Sequence, residues 1–203
     1  MNEIVKNTLI MTAITLASGL CLGYVYDITK APIAEQKEKA KQAANMEVFQ
    51  GASSFEEEPS AAEKDSRTIL DEAGYPEQEI TEVLAAKDEG GNTLGYVLSV
   101  TTHEGYGGDI SFSMGVQNDG TVNGISILSI SETAGLGMKA DTDEFKSQFA
   151  GKNVPLFTYT KTGASSDSEI DAISGATVTT NAVVNGVDAG LAYFQALTEG
   201  GVQ

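Results

Sequence analysis

The chain has 203 residues, of which 41% are hydrophobic, so it can form one domain of ordinary size with a core and a further segment. Its formal net charge of −17 argues against binding nucleic acid, because phosphates require Lys and Arg, and against docking another acidic protein. The single cysteine, Cys21, excludes an intramolecular disulfide, a Cys-ligated iron–sulfur cluster and a zinc-thiolate site.

The N-terminal segment predicts a transmembrane anchor. Residues 7–26 carry no charge, and as a helix this run would be about 30 Å long, the thickness of the hydrocarbon layer of a bilayer. A cleaved signal peptide would need a site of small residues at the end of the run, which Tyr24-Val-Tyr-Asp27 does not provide. A lipoprotein would need a small residue directly before Cys21, where this chain has Leu20. We therefore expect a retained anchor at residues 1–28. Lysines on both sides of the run leave its orientation undecided by charge alone.

Residues 29–78 predict a stalk and a linker. Residues 32–49 have a helical composition but few apolar side chains, which favours a solvated helix with Pro32 in its first turn. Residues 51–65 are acidic and rich in Ser and Ala, as is typical of a surface linker. Residues 66–73 predict a short helix.

Residues 79–203 predict one α+β domain with a twisted, mainly antiparallel sheet and flanking helices. Strands are expected at residues 80–87, 93–101, 109–117 and 121–130, joined as two hairpins by turns rich in Gly, Asn and Asp. In the third strand Ile110, Phe112 and Met114 alternate with serines, which is the period of a strand. A short helix at 141–149 and a strand at 156–160 are expected to follow.

The stretch Asp171-Ala-Ile-Ser-Gly-Ala-Thr177-Val-Thr-Thr180 precedes a helical pattern. The apolar residues at helical spacing are Val183, Val184, Val187, Leu191 and Phe194. The helix should begin near residues 177–180, where hydroxyls can cap free N–H groups. A helix start favours phosphate, and the small residues Ser174, Gly175 and Ala176 would let a bulky group approach the backbone next to Thr177. Taken alone, the stretch is more typical of an ordinary loop-to-helix junction.

Further motifs accompany this stretch in a fixed order. They are Gly105-Tyr-Gly-Gly-Asp-Ile110, Met114-Gly-Val, Glu132-Thr-Ala-Gly-Leu-Gly137 with Lys139, Phe149-Ala-Gly-Lys152 and Asn181-Ala-Val-Val-Asn-Gly-Val187. Together with Ser-Gly-Ala-Thr, the set resembles the membrane-anchored, FMN-binding G subunit of the Rnf electron-transport complex, over about residues 80–194. It is similar, more loosely, to the C subunit of the sodium-pumping NADH:quinone oxidoreductase. In both families the last Thr of Ser/Thr-Gly-Ala-Thr carries FMN through a phosphoester bond, which corresponds to Thr177 here.

The resemblance also implies which other residues contact the cofactor. The expected contacts are Ser174, Gly175, Ala176 and Thr180 near the phosphate, and Glu132, Thr133, Leu136 and Gly137 against the flavin. Tyr106 would flank the ring or hold its hairpin, and Lys139 would offset phosphate charge or simply face solvent. Ala134 stands where the family usually has Pro, and Ile130 and Ser131 stand where many relatives have His before the Glu, so we expect a slightly looser loop.

No catalytic residue and no metal site are expected, because electron transfer through a flavin requires neither. His103 has no second His or Cys with which to share a metal, so a surface loop is the expected place for it.

The function implied by the resemblance is that of a covalent-FMN electron carrier. It would serve in a complex that passes electrons between reduced ferredoxin and NAD and moves sodium or protons, with the flavin domain on the extracytoplasmic side of the cell membrane. The expected partners are the other subunits and a flavin transferase, without direct docking of ferredoxin. The alternatives are the corresponding carrier of a sodium-pumping NADH:quinone oxidoreductase, a free-standing membrane-anchored flavin reductase or sensor module, and a scaffold domain without flavin.

Overall fold

The computed structural model describes residues 2–62 and 64–199. Met1 of the expected anchor, Glu63 of the expected linker and residues 200–203 of the expected domain lie outside the described residues. The chain separates into two compact units, Met1–Ala40 and Lys41–Gln203. The predicted fold class is confirmed, because an apolar N-terminal helix precedes an antiparallel sheet with flanking helices.

The first unit is helical. Helix α1 spans Glu3–Val48 and contains an unburied 18-residue window of mean hydropathy 1.7, long and apolar enough to cross a membrane. Pro32 was expected in the first turn of a separate helix, and that expectation is wrong. Pro32 lies inside α1, where it removes one backbone donor without ending the helix.

The second unit contains a five-stranded antiparallel sheet in which each strand pairs with the next along the chain. The strands are β1 Ser54–Glu57, β2 Gln78–Lys87, β3 Thr93–Thr102, β4 Ile110–Gln117 and β5 Val122–Ser129. Between β1 and β2 lie α2 Pro59–Ala62 and α3 Ser66–Glu72, the second of which the sequence predicts. After β5 come a 3-10 turn Gly137–Asp141, α4 Asp143–Lys146, a 3-10 turn Ser147–Phe149, the parallel pair β6 Thr158–Thr160 and β7 Glu169–Asp171, and α5 Thr177–Glu199.

Helix α5 packs against one face of the sheet. Its predicted apolar stripe is buried in one cluster with Phe112 and Met114 of β4. The rings of Phe145, Phe149 and Phe157 extend this core with edge-to-face contacts at centroid distances of 5.7 and 5.2 Å. Each such side chain contributes about 1.5–3 kcal/mol when it leaves water, so this face holds α5 against the sheet.

The last turns of α1 cover the opposite face of the sheet. Val48 and Phe49 are buried in one cluster with Val97 of β3. Leu98, the next residue of β3, is buried in the cluster that contains α5, and successive side chains of a strand lie on opposite faces of the sheet. The buried Ser113 hydroxyl donates to Asn45 Oδ1 at 2.9 Å. The expected solvated stalk is thus wrong for these turns, because a few apolar side chains suffice to bury a helix end on a sheet.

The segment expected to be an acidic linker contributes an edge strand. Strand β1 pairs antiparallel with β2, Ser54 lies opposite Lys87, and Lys87 Nζ contacts the Glu56 carboxylate. Charged side chains on a short strand suit an edge, since they discourage pairing with another chain. The compact unit accordingly begins at Lys41, well before residue 79, where the domain was predicted to start.

Candidate functional site

The start of α5 is an open helix terminus. The first helical bond runs from Thr180 N–H to the Ala176 carbonyl at 3.0 Å, so Ala176 occupies the cap position with a side chain that cannot cap. By helix geometry the N–H groups of Thr177, Val178 and Thr179 have no acceptor within the helix. The predicted capping by threonine hydroxyls is therefore wrong, and these amides are available to an anion.

A tight turn leads into this terminus. Ala176 N–H donates to the Ile173 carbonyl at 2.9 Å, and Gly175 between them has a φ of 78°. This left-handed conformation at the third residue of a turn is one that glycine adopts without strain. The Thr180 hydroxyl accepts from Ile173 N–H and donates to the Ala176 carbonyl, both at 3.0 Å, which fixes the turn on the helix.

The loop after β5 forms the facing wall. Leu136 N–H and Met138 N–H both donate to the Thr133 carbonyl, at 3.1 and 3.2 Å, which folds the loop into a compact turn. A Cβ atom on Gly175 would lie 3.1 Å from Leu136 Cδ2, so the Leu136 side chain lies close to the turn before α5. A Cβ atom on Gly137 would lie 2.6 Å from Thr179 Oγ1, and this close approach brings the loop against the helix start.

A pocket of about 610 Å³ lies between these elements. Its volume is within the range of about 300–1,000 Å³ that is typical of cofactor sites. The predicted residues that line it are Tyr106, Glu132, Thr133, Leu136, Gly137, Gly175, Ala176 and Thr177. Residues from three loops that are distant in sequence therefore meet at one helix start.

Three predicted residues do not line this pocket. Ser174 and Lys139 line a neighbouring cavity of about 360 Å³, which Asp171 also lines. Thr180 is fully buried, and both hydrogen bonds of its hydroxyl hold the turn before α5. The structure therefore gives Thr180 a structural role and places the amine-bearing residue Lys139 beside the pocket, not in its wall.

Sequence reasoning missed two residues of the pocket, Val178 and Thr179. Both follow Thr177 in the first turn of α5, so their position was implied by the predicted helix start. Val178 is 52% exposed, whereas Thr179 is buried where Gly137 approaches it. The apolar spacing farther along the helix gave no signal for either residue.

Tyr106 and Glu132 link the glycine-rich loop after β3 to the pocket. Gly107 N–H donates to Glu132 Oε1 at 3.2 Å, and Tyr106 beside it is 75% exposed at the rim. His103, in the same loop, is exposed and bonds Asp109 at 2.9 Å. No group of three His, Cys, Asp or Glu residues in the described part of the chain is placed to hold a metal ion.

The chemistry of the pocket suits a phosphorylated ligand with a flat apolar ring. The open helix start offers N–H groups and positive potential to a phosphate. Leu136, Val178 and Tyr106 offer apolar surface, and Thr133 and Thr179 carry hydroxyls that can bond the polar edge of a ring. The residues present therefore fit FMN.

Comparison with known families agrees with this geometry. The family described as the FMN-binding domain matches residues 105–192, which include every residue of the pocket wall. A second family, the RnfG N-terminal region, matches residues 1–48.

Curated relatives resemble nearly the full chain. It is 32% identical to the G subunit of the Na(+)-translocating ferredoxin:NAD(+) oxidoreductase complex of Acetobacterium woodii, covering 96% of this chain and 93% of that one. It is also 32% identical to the G subunit of the proton-translocating ferredoxin:NAD(+) oxidoreductase complex of Clostridium ljungdahlii, covering 98% and 96%. Among solved structures, the C subunit of the Na(+)-translocating NADH-quinone reductase from Parabacteroides distasonis superposes with a TM-score of 0.55 at 19% identity, covering 82% of this chain and 96% of that one. This last likeness concerns the fold.

Proposed function

Because the chain belongs to the family of G subunits of ion-translocating oxidoreductase complexes, we propose that it carries FMN covalently on Thr177 and relays electrons through it. The chain is a subunit of an electron-transferring complex with an FMN-binding domain and an apolar N-terminal helix suited to a single membrane pass. The overall reaction of the complex is proposed to be electron transfer between ferredoxin and NAD, coupled to movement of sodium or protons. The resemblance to the NADH-quinone reductase is less specific, since it is a likeness of fold.

The observation that carries this proposal is the uncapped start of α5. Ala176 has no polar side chain, so the first-turn amides remain free to bind a phosphate, and Thr177 is the first helical residue beside them. A phosphoester on the Thr177 hydroxyl would place its charged oxygens at the positive end of the helix. The proposed nucleophile, Thr177, and an anion site therefore lie at the same point of the chain.

The attachment step is a phosphoryl transfer without change of oxidation state. Thr177 Oγ1 forms a bond to the flavin-side phosphorus of a flavin-bearing phosphoanhydride, the bond from that phosphorus to the bridging oxygen breaks and releases the other half as a phosphate monoester, and the hydroxyl proton passes through a base of the transferase to solvent or to the leaving phosphate. The protein gains the mass of FMN less one water. We propose that a separate flavin transferase supplies the acid–base chemistry. The described residues that line the pocket include no His or Lys, and their one carboxylate, Glu132, already accepts a hydrogen bond from Gly107 N–H.

The remaining pocket residues would bind and orient the cofactor. FMN supplies reversible electron transfer once it is bound. Leu136 and Val178 offer apolar contacts that exclude water, and Thr133 offers a hydroxyl to the polar edge of the ring. We also propose that the domain lies on the extracytoplasmic side, where a covalent link at Thr177 would prevent loss of the cofactor into a compartment without free FMN.

Mass spectrometry of protein isolated from its native membrane tests the attachment. We expect the peptide that contains Thr177 to carry one FMN less one water. Thr177→Val, which has nearly the same shape without the hydroxyl, should abolish the adduct, and Thr177→Ser should retain it. Thr142→Val is a matched control, because Thr142 lines the neighbouring cavity and should leave the adduct intact.

The same variants test the function of the complex. Membranes with Thr177→Val should lose ferredoxin:NAD electron transfer, whereas Thr142→Val membranes should retain it. Full activity of assembled Thr177→Val complexes would exclude the electron-relay role. An unmodified Thr177 peptide in active native complexes would exclude covalent attachment at this residue.

A further inference from the structure

Glu132 differs in kind from the other residues of the pocket wall. Among the described residues that line the pocket, it is the one that carries a charge, and the rest are apolar residues, glycines, threonines and a tyrosine. Attachment at Thr177 does not require a carboxylate at this position. A negative charge beside a site for an anionic cofactor is unfavourable for binding, so it calls for another explanation.

The carboxylate of Glu132 is enclosed by backbone on two sides. Gly107 N–H donates to Oε1 at 3.2 Å, and a Cβ atom on Gly105 would lie 3.1 Å from the same oxygen. A Cβ atom on Gly137 would lie 2.7 Å from Oε2. Gly105 and Gly137, which belong to two different loops, therefore leave the space that the carboxylate occupies, and Gly107 N–H binds it there.

No cation neutralises this carboxylate within residues 2–62 and 64–199. The ion pairs within 4.0 Å in that part of the chain do not include Glu132. Lys139, which is nearby in sequence, lines the neighbouring cavity instead. The pocket wall therefore has a fixed negative charge, which accepts a backbone hydrogen bond from Gly107.

We propose that Glu132 lowers the reduction potential of the flavin in this pocket. The inference depends on the proposed function, because it assumes that FMN occupies the pocket. An electron that enters the pocket adds negative charge beside the carboxylate, in surroundings that screen charge less than water does. Glu132 therefore opposes reduction, while it neither gains nor loses an electron itself.

The test compares two variants that lose the same charge at different places. Glu132→Gln keeps the shape of the side chain and an oxygen that can accept from Gly107 N–H. Glu89→Gln is the control, because Glu89 lies in the exposed turn between β2 and β3, whereas the pocket loop follows the other end of β3. Both are prepared as full chains with FMN attached, and flavin content is measured by mass before each titration.

Redox titration at a fixed pH, with dithionite as reductant and soluble mediators, gives the midpoint potential. We expect Glu132→Gln to raise the equilibrium constant for one-electron reduction of the flavin about tenfold. This corresponds to a rise of about 59 mV in the midpoint potential. Glu89→Gln should match the unsubstituted protein. Glu132→Asp, which keeps the charge, should stay closer to the unsubstituted protein than Glu132→Gln does.

The outcomes separate this inference from the proposed function. Absence of the adduct from the unsubstituted native protein would remove the attachment proposal itself. A flavin-loaded Glu132→Gln protein with an unchanged potential would overturn the role of Glu132 alone. Loss of flavin or of the thermal unfolding transition in Glu132→Gln would assign the carboxylate to attachment or folding, and would also overturn it.

Discussion

Asp188 is a buried carboxylate whose protonation is linked to folding. It lies in α5 with 6% of its surface exposed, and its Oδ1 accepts from Phe157 N–H at 2.7 Å. Burial raises the pKa of Asp188 to about 7, and the hydrogen bond from Phe157 opposes this rise. Burial and the nearby Asp188 charge together raise the pKa of Tyr75.

We predict that Asp188 makes the stability of the domain fall as pH rises from about 4 to about 7. The folded pKa lies above the unfolded value of 3.8, so within this window the folded state holds a proton that the unfolded chain has released. Asp188→Asn keeps an oxygen that can accept from Phe157 N–H. At about 1.4 kcal/mol per pKa unit, it should raise the free energy of unfolding at pH 8 by a few kcal/mol. It should raise it little at pH 4, where the folded protein already has a protonated Asp188.

Urea unfolding of the detergent-solubilised protein at pH 4, 6 and 8 measures this effect. Asp143→Asn is the matched control, because the Asp143 side chain is fully exposed, and it should change stability little at any of the three pH values. An equal gain for Asp188→Asn at pH 4 and pH 8 would contradict the proposed linkage.

Single residues differ in how well sequence could place them at the site. Thr177 was predictable because the small residues before it and the apolar period after it together locate a helix start. Ser174, Lys139 and Thr180 were not, because sequence spacing does not show on which side of a turn a side chain lies. The Thr180 hydroxyl donates to the Ala176 carbonyl, which is a common local bond of threonine in a helix, but its bond from Ile173 N–H across the turn is one that helical spacing does not indicate.

The end of α1 belongs to the compact unit that begins at Lys41. Lys41 Nζ lies 2.6 Å from Glu82 Oε2, and Ser126 Oγ donates to Glu47 Oε2 at 2.6 Å, so two strands hold this part of the helix. Val48 and Phe49 are 3% and 5% exposed. Residues 41–49 are therefore predicted to stabilise the domain and not only to connect it to the membrane.

We predict that a chain beginning at Lys41 folds, whereas one beginning at Gly51 is much less stable. Loss of Val48 and Phe49 removes about 1.5–3 kcal/mol of burial for each side chain and uncovers one face of the sheet. Urea unfolding followed by far-ultraviolet circular dichroism compares the two chains. Equal midpoints would show that the end of α1 contributes nothing to the domain.

The elements that sequence predicted well are those with a strong local period. Strands β2 to β5 and helix α5 were predicted to within a few residues, because alternation or helical spacing continues over eight residues or more. Strand β1 was predicted to be a linker, since its Glu-rich composition is also typical of an exposed loop. Strand β7 has three residues and owes its form to parallel pairing with β6, which is a contact distant in sequence.

The arrangement of the chain along its length separates two tasks. An apolar helix suited to a membrane comes first, and a domain with its own core and pocket follows. The pocket assembles from loops at residues 105–108 and 131–137 and from the start of α5, all within the part that matches the FMN-binding domain. Because the pocket and the apolar helix belong to one chain, the proposed electron carrier would stay near its partners in the membrane.

The side of the membrane on which the domain lies can be tested with the single native cysteine removed. Charge does not decide the orientation, because Lys6 precedes the apolar run while Lys30, Lys37 and Lys39 follow it. We predict that Glu89→Cys, introduced with Cys21→Ser, is labelled in intact cells by a membrane-impermeant maleimide. Glu89 is suitable because it is exposed in a turn of the domain.

Asn2→Cys in the same Cys21→Ser background is the matched control. A single pass puts Asn2 and Glu89 on opposite sides of the bilayer, so Asn2→Cys should react only after the cells are permeabilised. The reverse pattern would place the domain in the cytoplasm, where free FMN is available and the argument for a covalent link as protection against cofactor loss no longer applies. Labelling of both positions in intact cells would contradict a single pass, because one helix cannot leave both of its ends outside.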